Sequence, residues 1–296
     1  MRHAHRCTHL AVALALLAGC GRAPPRAPGI AVVDDAGRRV TVGIPVRRIV
    51  SLAPSVTELL FAIGAGERLV GRTTWCRYPP AALAVPDVGD GLNPNLEAVV
   101  ARQPDLVVLY QSPLNETAAA QLERIGIATL VLRQDRHADV ARHARLLGRL
   151  TNRTAAGDSI GATLDSLLAR PRPVPRARVA FVVWDNPPTI IGAGSYLDEL
   201  AQLAGARNVF DDIAAASAAV SLETIAARDP DLIVLLADSA TAPAPGWLQR
   251  PEWQPVGAVR ERRLLTLPAA LFGRPSPRAP AAVTALRHRL DAVGAR

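Results

Sequence analysis

The chain has 296 residues, a formal charge of +8 and 49% hydrophobic content, enough apolar material for one large packed core or two smaller ones. All 34 basic residues are arginine, which excludes a lysine-dependent Walker A loop and with it the usual P-loop ATPase. The charges are dispersed with no long run of one sign, which argues against nucleic-acid binding, and no apolar stretch reaches the length of a membrane span.

Arg2, His3, His5 and Arg6 precede an apolar run from Leu10 to Ala18, and Leu17-Ala18-Gly19-Cys20 closes the segment. A basic start, a short apolar centre and small residues before a cysteine describe a lipoprotein export signal over residues 1–19. Leu-Ala-Gly-Cys has the form of a lipobox, so Cys20 is expected to carry lipid. Two or more acyl chains, at roughly 0.8 kcal/mol per buried methylene, would hold the protein on a membrane. Only Cys20 and Cys76 survive removal of the signal, and lipid consumes the first, so an internal disulfide is excluded.

Residues 20–30 are rich in proline without an apolar pattern and read as an extended tether. Ala31 to Asp34 and Arg38 to Val42, flanking Asp35-Ala36-Gly37, predict a small hairpin. Arg48 to Leu52 reads as a buried strand. Ser55-Val56-Thr57-Glu58 has the spacing of a capping box opening a helix that Gly64 can close. Strands at Leu69 to Thr73, Asp105 to Tyr110 and Ile127 to Leu132 then alternate with helices at Asn95 to Arg102 and Asn115 to Ile125, which predicts a parallel sheet. A long helical stretch from about Ala138 to Ala169 follows, with Ile160, Leu164, Leu167 and Leu168 on one face. Pro171, Pro173 and Pro175 stop it. A second alternating region has strands at Arg178 to Trp184, Asp231 to Leu236 and Arg263 to Leu267, with helices near Leu197 to Ala204, Leu222 to Arg228 and Arg278 to Val293.

The two regions repeat one another. Residues 95–109 align with residues 221–235 at an offset of 126, with nine of fifteen positions identical, and Glu58 to Gly64 echoes Glu199 to Gly205 more loosely. The expected fold is therefore α/β, with two similar lobes of parallel-rich sheet joined by a long helix and a ligand cleft between them. An N-terminal lobe spans 31–135, a linking helix 136–172 and a C-terminal lobe 173–296.

In open α/β sheets the binding crevice lies beyond the carboxyl ends of the strands. Trp75 and Tyr78, Tyr110, Trp184, and Phe272 with Arg274 all follow or end predicted strands, in a chain with few aromatics. Flat faces and an arginine fork suit a large, partly apolar ligand bearing amides or acids. Trp75, Tyr110, Trp184, Phe272 and Arg274 are the candidate ligand contacts. Gly157-Asp158-Ser159-Ile160-Gly161 fits a nucleophile-elbow spelling, yet no buried strand precedes the serine, so neither a hydrolase nor any catalytic residue is expected. His137, His143 and His288 are too few for a site coordinating bare zinc or manganese.

Arg48 to Gly64, Tyr78-Pro-Pro80, Asn95-Leu-Glu97, Pro104 to Val107, Asn186-Pro-Pro188, Asn208-Val-Phe210 and Phe272 to Arg278 together resemble the cobalamin-binding periplasmic proteins. These belong to the wider group of ferric-siderophore, haem and cobalamin receptors with a helical backbone between lobes. The resemblance covers about Val46 to the end. It implies that Trp75 stands for a tyrosine that stacks on the corrin, Tyr110 for a cleft tryptophan and Arg274 for a cleft arginine. Gly91, Thr189 and Ser217 stand where those receptors have aromatic rings, and Ala270 where they have an aspartate, so a modified corrinoid, a ferric siderophore or haem are alternative ligands. It also implies that Glu97 and Glu223, one per lobe, dock onto arginines of an ABC permease dimer served by its ATPase. The protein is expected to act as a monomer at the outer face of a membrane, without a cofactor of its own.

Overall fold

A computed structural model describes residues 29–294. The signal, Cys20 and most of the tether lie outside the described residues. The chain opens with a hairpin of β1 (Gly29–Val33) and β2 (Arg39–Gly43), antiparallel and turned at Gly37, whose positive φ of 76° favours glycine.

The first lobe runs through β3 (Ile49–Leu52), α1 (Pro54–Ala62), β4 (Leu69–Arg72), α2 (Leu96–Val100), β5 (Leu106–Tyr110), α3 (Pro113–Arg124) and β6 (Ala128–Leu132). Its strands are all parallel, in the order β4-β3-β5-β6. Two helices, α4 (His137–Leu150) and α5 (Thr154–Leu168), lead to the second lobe. That lobe contains β7 (Ala177–Asp185), β8 (Pro188–Ile191), α6 (Tyr196–Ala204), β9 (Ala206–Asn208), β10 (Ser217–Ala219), α7 (Leu222–Arg228), β11 (Leu232–Ala237), α8 (Gly257–Arg260), β12 (Leu264–Pro268), α9 (Ala269–Phe272) and α10 (Ala279–Gly294). Here β9, β7, β11 and β12 are parallel neighbours, and β8 with β10 adds an antiparallel edge.

The repeat read from the sequence reaches down to single atoms. Asn95 caps α2 and Ser221 caps α7, each accepting a backbone N–H three residues on. Gln103 (φ 47°) and Asp229 (φ 44°), 126 positions apart, both take the left-handed conformation that ends the unit. Arg48 donates to the carbonyls of Arg102 and Gln103, and Arg178 to those of Arg228 and Asp229. Asp105 and Asp231 accept the backbone N–H of those same two arginines. With β5 matched to β11 and β3 to β7, the order β4-β3-β5-β6 corresponds to β9-β7-β11-β12.

The helical stretch expected as one element runs as two. Asn152, with φ of 54°, breaks it after Leu150, and α5 turns back along α4. The helices approach so closely that a Cβ on Gly157 would lie 2.4 Å from the Ala144 carbonyl oxygen, and one on Gly148 would lie 3.1 Å from the Gly157 Cα. The Gly-x-Ser-x-Gly spelling is thus a helix-packing device, with Ser159 exposed on the outside of α5. Apolar residues of this pair, Val140, Leu147, Leu150, Leu164 and Leu167 among them, belong to one buried cluster that also includes Leu60 and Leu130 of the first lobe and Phe181, Leu200 and Leu286 of the second. The two lobes therefore share a continuous core, which resists wide hinge motion.

Two buried carboxylates pin the second lobe down, one to the first lobe and one to the start of the linking helices. Ser55 and Glu58 do not cap α1, whose N-cap is Ala53 with no side-chain bond. The Ser55 hydroxyl instead donates to the Pro275 carbonyl at 2.7 Å. The fully buried Glu58 accepts from Arg274 at 3.1 Å and from Arg278 at 2.9 and 3.1 Å, all from the second lobe. Glu199, its counterpart in the looser repeat, accepts from Arg136 at 2.5 Å and lies 2.9 Å from His137 Nδ1 at the start of α4. A buried carboxylate is tolerated only when paired in this way.

Candidate functional site

A cavity of about 370 Å³ lies between the lobes, within the ~300–1,000 Å³ range of small-molecule sites. The first lobe supplies residues at the carboxyl ends of all four of its strands: Leu52 at the end of β3, Thr73 and Trp75 after β4, Tyr110 at the end of β5, and Gln134 with Asp135 after β6. Tyr196, from the start of α6, and Arg274 with Pro275, beyond α9, face them from the second lobe. Trp75 and Leu92 line the cavity while more than half exposed, at 55% and 58%, so the gap opens to solvent along their apolar faces.

Three of the five candidate contacts come together here. Trp75 forms an exposed face at the mouth, with the Arg77 guanidinium 5.6 Å from its ring centre. Tyr110 is half-buried and donates to Asp135 Oδ1 at 3.2 Å. Burial, with the neighbouring Asp135 carboxylate, raises the phenol above its ordinary range, so Tyr110 presents a neutral ring. Arg274 lines the cavity while its guanidinium is held by Glu58.

Phe272 and Trp184 stand elsewhere. Phe272 is fully buried in the shared core, because the short α9 turns its ring inward; only its carbonyl takes part in the site, accepting the Tyr196 hydroxyl at 3.0 Å. Trp184 is 63% exposed near the end of β7, does not line the cavity, and donates from its indole to the Asn186 carbonyl. The β7–β8 hairpin extends β7 past the cavity edge and carries that ring away with it.

The sequence reading missed Gln134, Asp135 and Tyr196. The rule that located Tyr110 applies equally to the end of β6, but attention to aromatic rings passed over the polar pair there. Tyr196 follows Ser195, whose hydroxyl oxygen accepts the Leu197 N–H at the start of α6, and that cap was the available signal. Burial raises the Tyr196 phenol, only partly offset by Arg274, so this ring too is neutral. Gly91 lines the cavity for a backbone reason: a Cβ there would lie 2.4 Å from the Leu52 carbonyl oxygen. Thr189 lies in β8 and Ser217 in β10, where they pair within the antiparallel edge, and Ala270 is exposed on α9. Among the described residues no three His, Cys, Asp or Glu side chains gather to hold a metal ion.

Glu97 and Glu223 are exposed in the first turns of α2 and α7, without ion-pair partners among the described residues. A crossover helix runs antiparallel to its strands, so its N-terminus stands at their carboxyl ends. Both glutamates therefore sit at the level of the cleft, one on each lobe.

Two parallel-sheet lobes closing on a ring-lined gap, with a shared core behind it, define a class of solute-binding protein. The family profile of periplasmic binding proteins matches residues 49–271, and the chain belongs to that family, whose members bind solutes and are not enzymes. It is 28% identical to an uncharacterized ABC transporter substrate-binding lipoprotein of Bacillus subtilis (strain 168), over 91% of each chain. It is 26% identical to a vitamin B12-binding protein of Vibrio cholerae, covering 79% of this chain and 85% of that one. Among solved structures, the vitamin B12-binding protein BtuF of Vibrio cholerae superposes with a TM-score of 0.68 at 25% identity, over 85% of this chain and 99% of that chain. The periplasmic heme-binding protein BhuT, solved with two hemes, gives 0.67 at 28% identity, over 83% and 98%.

Proposed function

We propose that this protein captures cobalamin or a related corrinoid outside the cytoplasmic membrane and delivers it to an ABC importer. The observation that carries this reading is the inter-lobe cavity, where Trp75, Tyr110 and Tyr196 offer aromatic surface and Arg274 a charged donor. A wide chelate slides between such faces, gaining apolar burial against the rings. Lipid on Cys20 keeps the receptor at the membrane, and Glu97 and Glu223 engage arginines on the two permease subunits. Reversing both charges, Glu97→Arg with Glu223→Arg, leaves ligand affinity intact and abolishes uptake.

Haem is the second reading, supported by the similarity to BhuT at 28% identity. Titrating the chain after Cys20 with cyanocobalamin, haem and a ferric siderophore, while following tryptophan fluorescence, tests both. The corrinoid reading requires saturable one-to-one quenching by cyanocobalamin that Trp75→Phe diminishes. Saturation by haem alone would replace it with the second reading.

A further inference from the structure

The polar wall of the cavity points to the chemistry of the ligand's edge, an inference that rests on the chelate-receptor reading. Gln134 lines the cavity with 8% of its surface exposed, and its amide nitrogen is buried without a hydrogen-bond partner among the described residues. Such an orphan is unfavourable, and a polar group that reaches the amide relieves it. A half-turn about the last torsion exchanges the nitrogen and oxygen of the amide, so Gln134 can offer a donor or an acceptor. Beside it, Asp135 accepts one hydrogen bond from Tyr110 at its Oδ1, and a carboxylate has room for more.

The charge balance narrows the partner further. Asp90, Asp135 and Arg274 are the charged residues of the lining. Arg274 is engaged by Glu58, which Arg278 shares from behind. Arg278 in turn lies 3.7 Å over the Tyr78 ring and donates to the Ala270 carbonyl. Three carboxylates thus meet two guanidiniums whose charge is already offset, and the Arg77 guanidinium at the mouth stands over Trp75 beyond β4, at the opposite edge of the sheet from Gln134 beyond β6. A ligand carboxylate arriving beside Gln134 would face Asp135 without a free cation to balance it. A carboxamide would donate its N–H to Asp135 and accept from the Gln134 amide, satisfying both.

We propose that Gln134 and Asp135 form a specificity-determining edge that selects chelates bearing carboxamides over those bearing carboxylates in the same places. Among macrocyclic chelates, the amide-rimmed corrinoids fit this edge, and haem, with its two propionates, does not.

Two corrinoids that differ in this respect, dicyanocobinamide with its amides and dicyanocobyrinic acid with carboxylates, provide the test by isothermal titration of the mature chain. The expected result is at least tenfold tighter binding of the amide form. Asp135→Asn should weaken the amide form and strengthen the acid, shrinking the ratio about tenfold, a reversal that simple loss of folding could not produce. Gln134→Leu, close in size and apolar, should weaken the amide form and leave the acid nearly unchanged, and it carries the test if the aspartate variant does not fold. Equal affinities in the wild type, or a ratio unmoved by both substitutions, would overturn the inference and leave the receptor reading standing. Failure to bind either corrinoid would overturn the inference and the corrinoid reading together.

Discussion

At the carboxyl end of β5 stands Tyr110, open to the cavity; at the equivalent end of β11 stands Leu236, packed against the core. After β4 come Thr73 and Trp75 at the cavity, whereas after β9 come Val209 and Phe210, both buried. The scaffold was kept in both lobes, down to the helix cap, the left-handed stop and the arginine that closes it. The ligand-facing strand ends were kept open in one. In the second lobe β8 and β10 extend the sheet, and the cavity wall there comes from the start of α6 and the segment after α9. Repetition of a helix-strand unit thus predicts architecture well and ligand contacts only for the lobe whose strand ends stay uncovered.

That contrast breaks most visibly at Phe272 and Glu58. Phe272→Ala should cost about 3–5 kcal/mol of stability, because it empties the shared core rather than the site. Glu58→Ala should cost a similar ~3–5 kcal/mol by stranding two buried-side guanidiniums, and Glu199→Ala should resemble it if the two pins are equivalent. Urea unfolding followed by circular dichroism measures all three. Separate unfolding of the two lobes in either pin variant would show that the pins, more than the common core, hold them together.

Next in size are the rings. Trp75→Ala should weaken ligand binding by about 1–3 kcal/mol, in the range of a buried aromatic anchor, while Trp184→Ala leaves affinity unchanged. Comparable losses in both variants would mean that the second lobe closes further over the ligand than the cavity described here.

Smaller effects concern acid and caps. The Asp35 carboxyl is held well below the usual range: burial would raise it, but bonds from His143, Arg142 and the Arg133 N–H outweigh that. The Glu199 carboxyl is lowered in the same way, against burial, by His137 and Arg136. Groups depressed in the folded state lend stability above their unfolded pKa near 4 and lose it as pH falls below that value. Stability should therefore decline steadily below about pH 4, and Asp35→Asn should flatten that decline in urea midpoints measured from pH 7 to pH 3. Asn95→Ala and Ser221→Ala should each cost about 1 kcal/mol, with equal values expected from equivalent caps.

Much of this arrangement was legible before the structure. Strand-helix alternation and the repeated Pro-Asp-Leu segments predicted two parallel-rich sheets, since those patterns are local and each obeys one rule, while the antiparallel edge of β8 and β10 carried no such pattern. The ends of strands located Trp75, Tyr110 and Arg274. The same rule could not tell that Phe272 turns inward or that β7 carries Trp184 past the cavity, because both depend on packing between distant elements. Ser55 and Glu58 show the limit most clearly. Their spacing is that of a local cap, and only the approach of Arg274, Pro275 and Arg278 across the lobe boundary makes them a pin. The break at Asn152 was likewise hidden in a segment whose composition suits one helix, and its sign was the glycine pair that lets α5 fold back on α4.

The most direct test of the central claim is hydrogen–deuterium exchange of the mature chain with and without cyanocobalamin. Ligand held between the lobes predicts new protection in segments from both walls, around Thr73 to Trp75 and Tyr110 to Asp135 on one side and around Ser195 and Arg274 on the other. Protection confined to a single lobe, or appearing on an outer face, would contradict it.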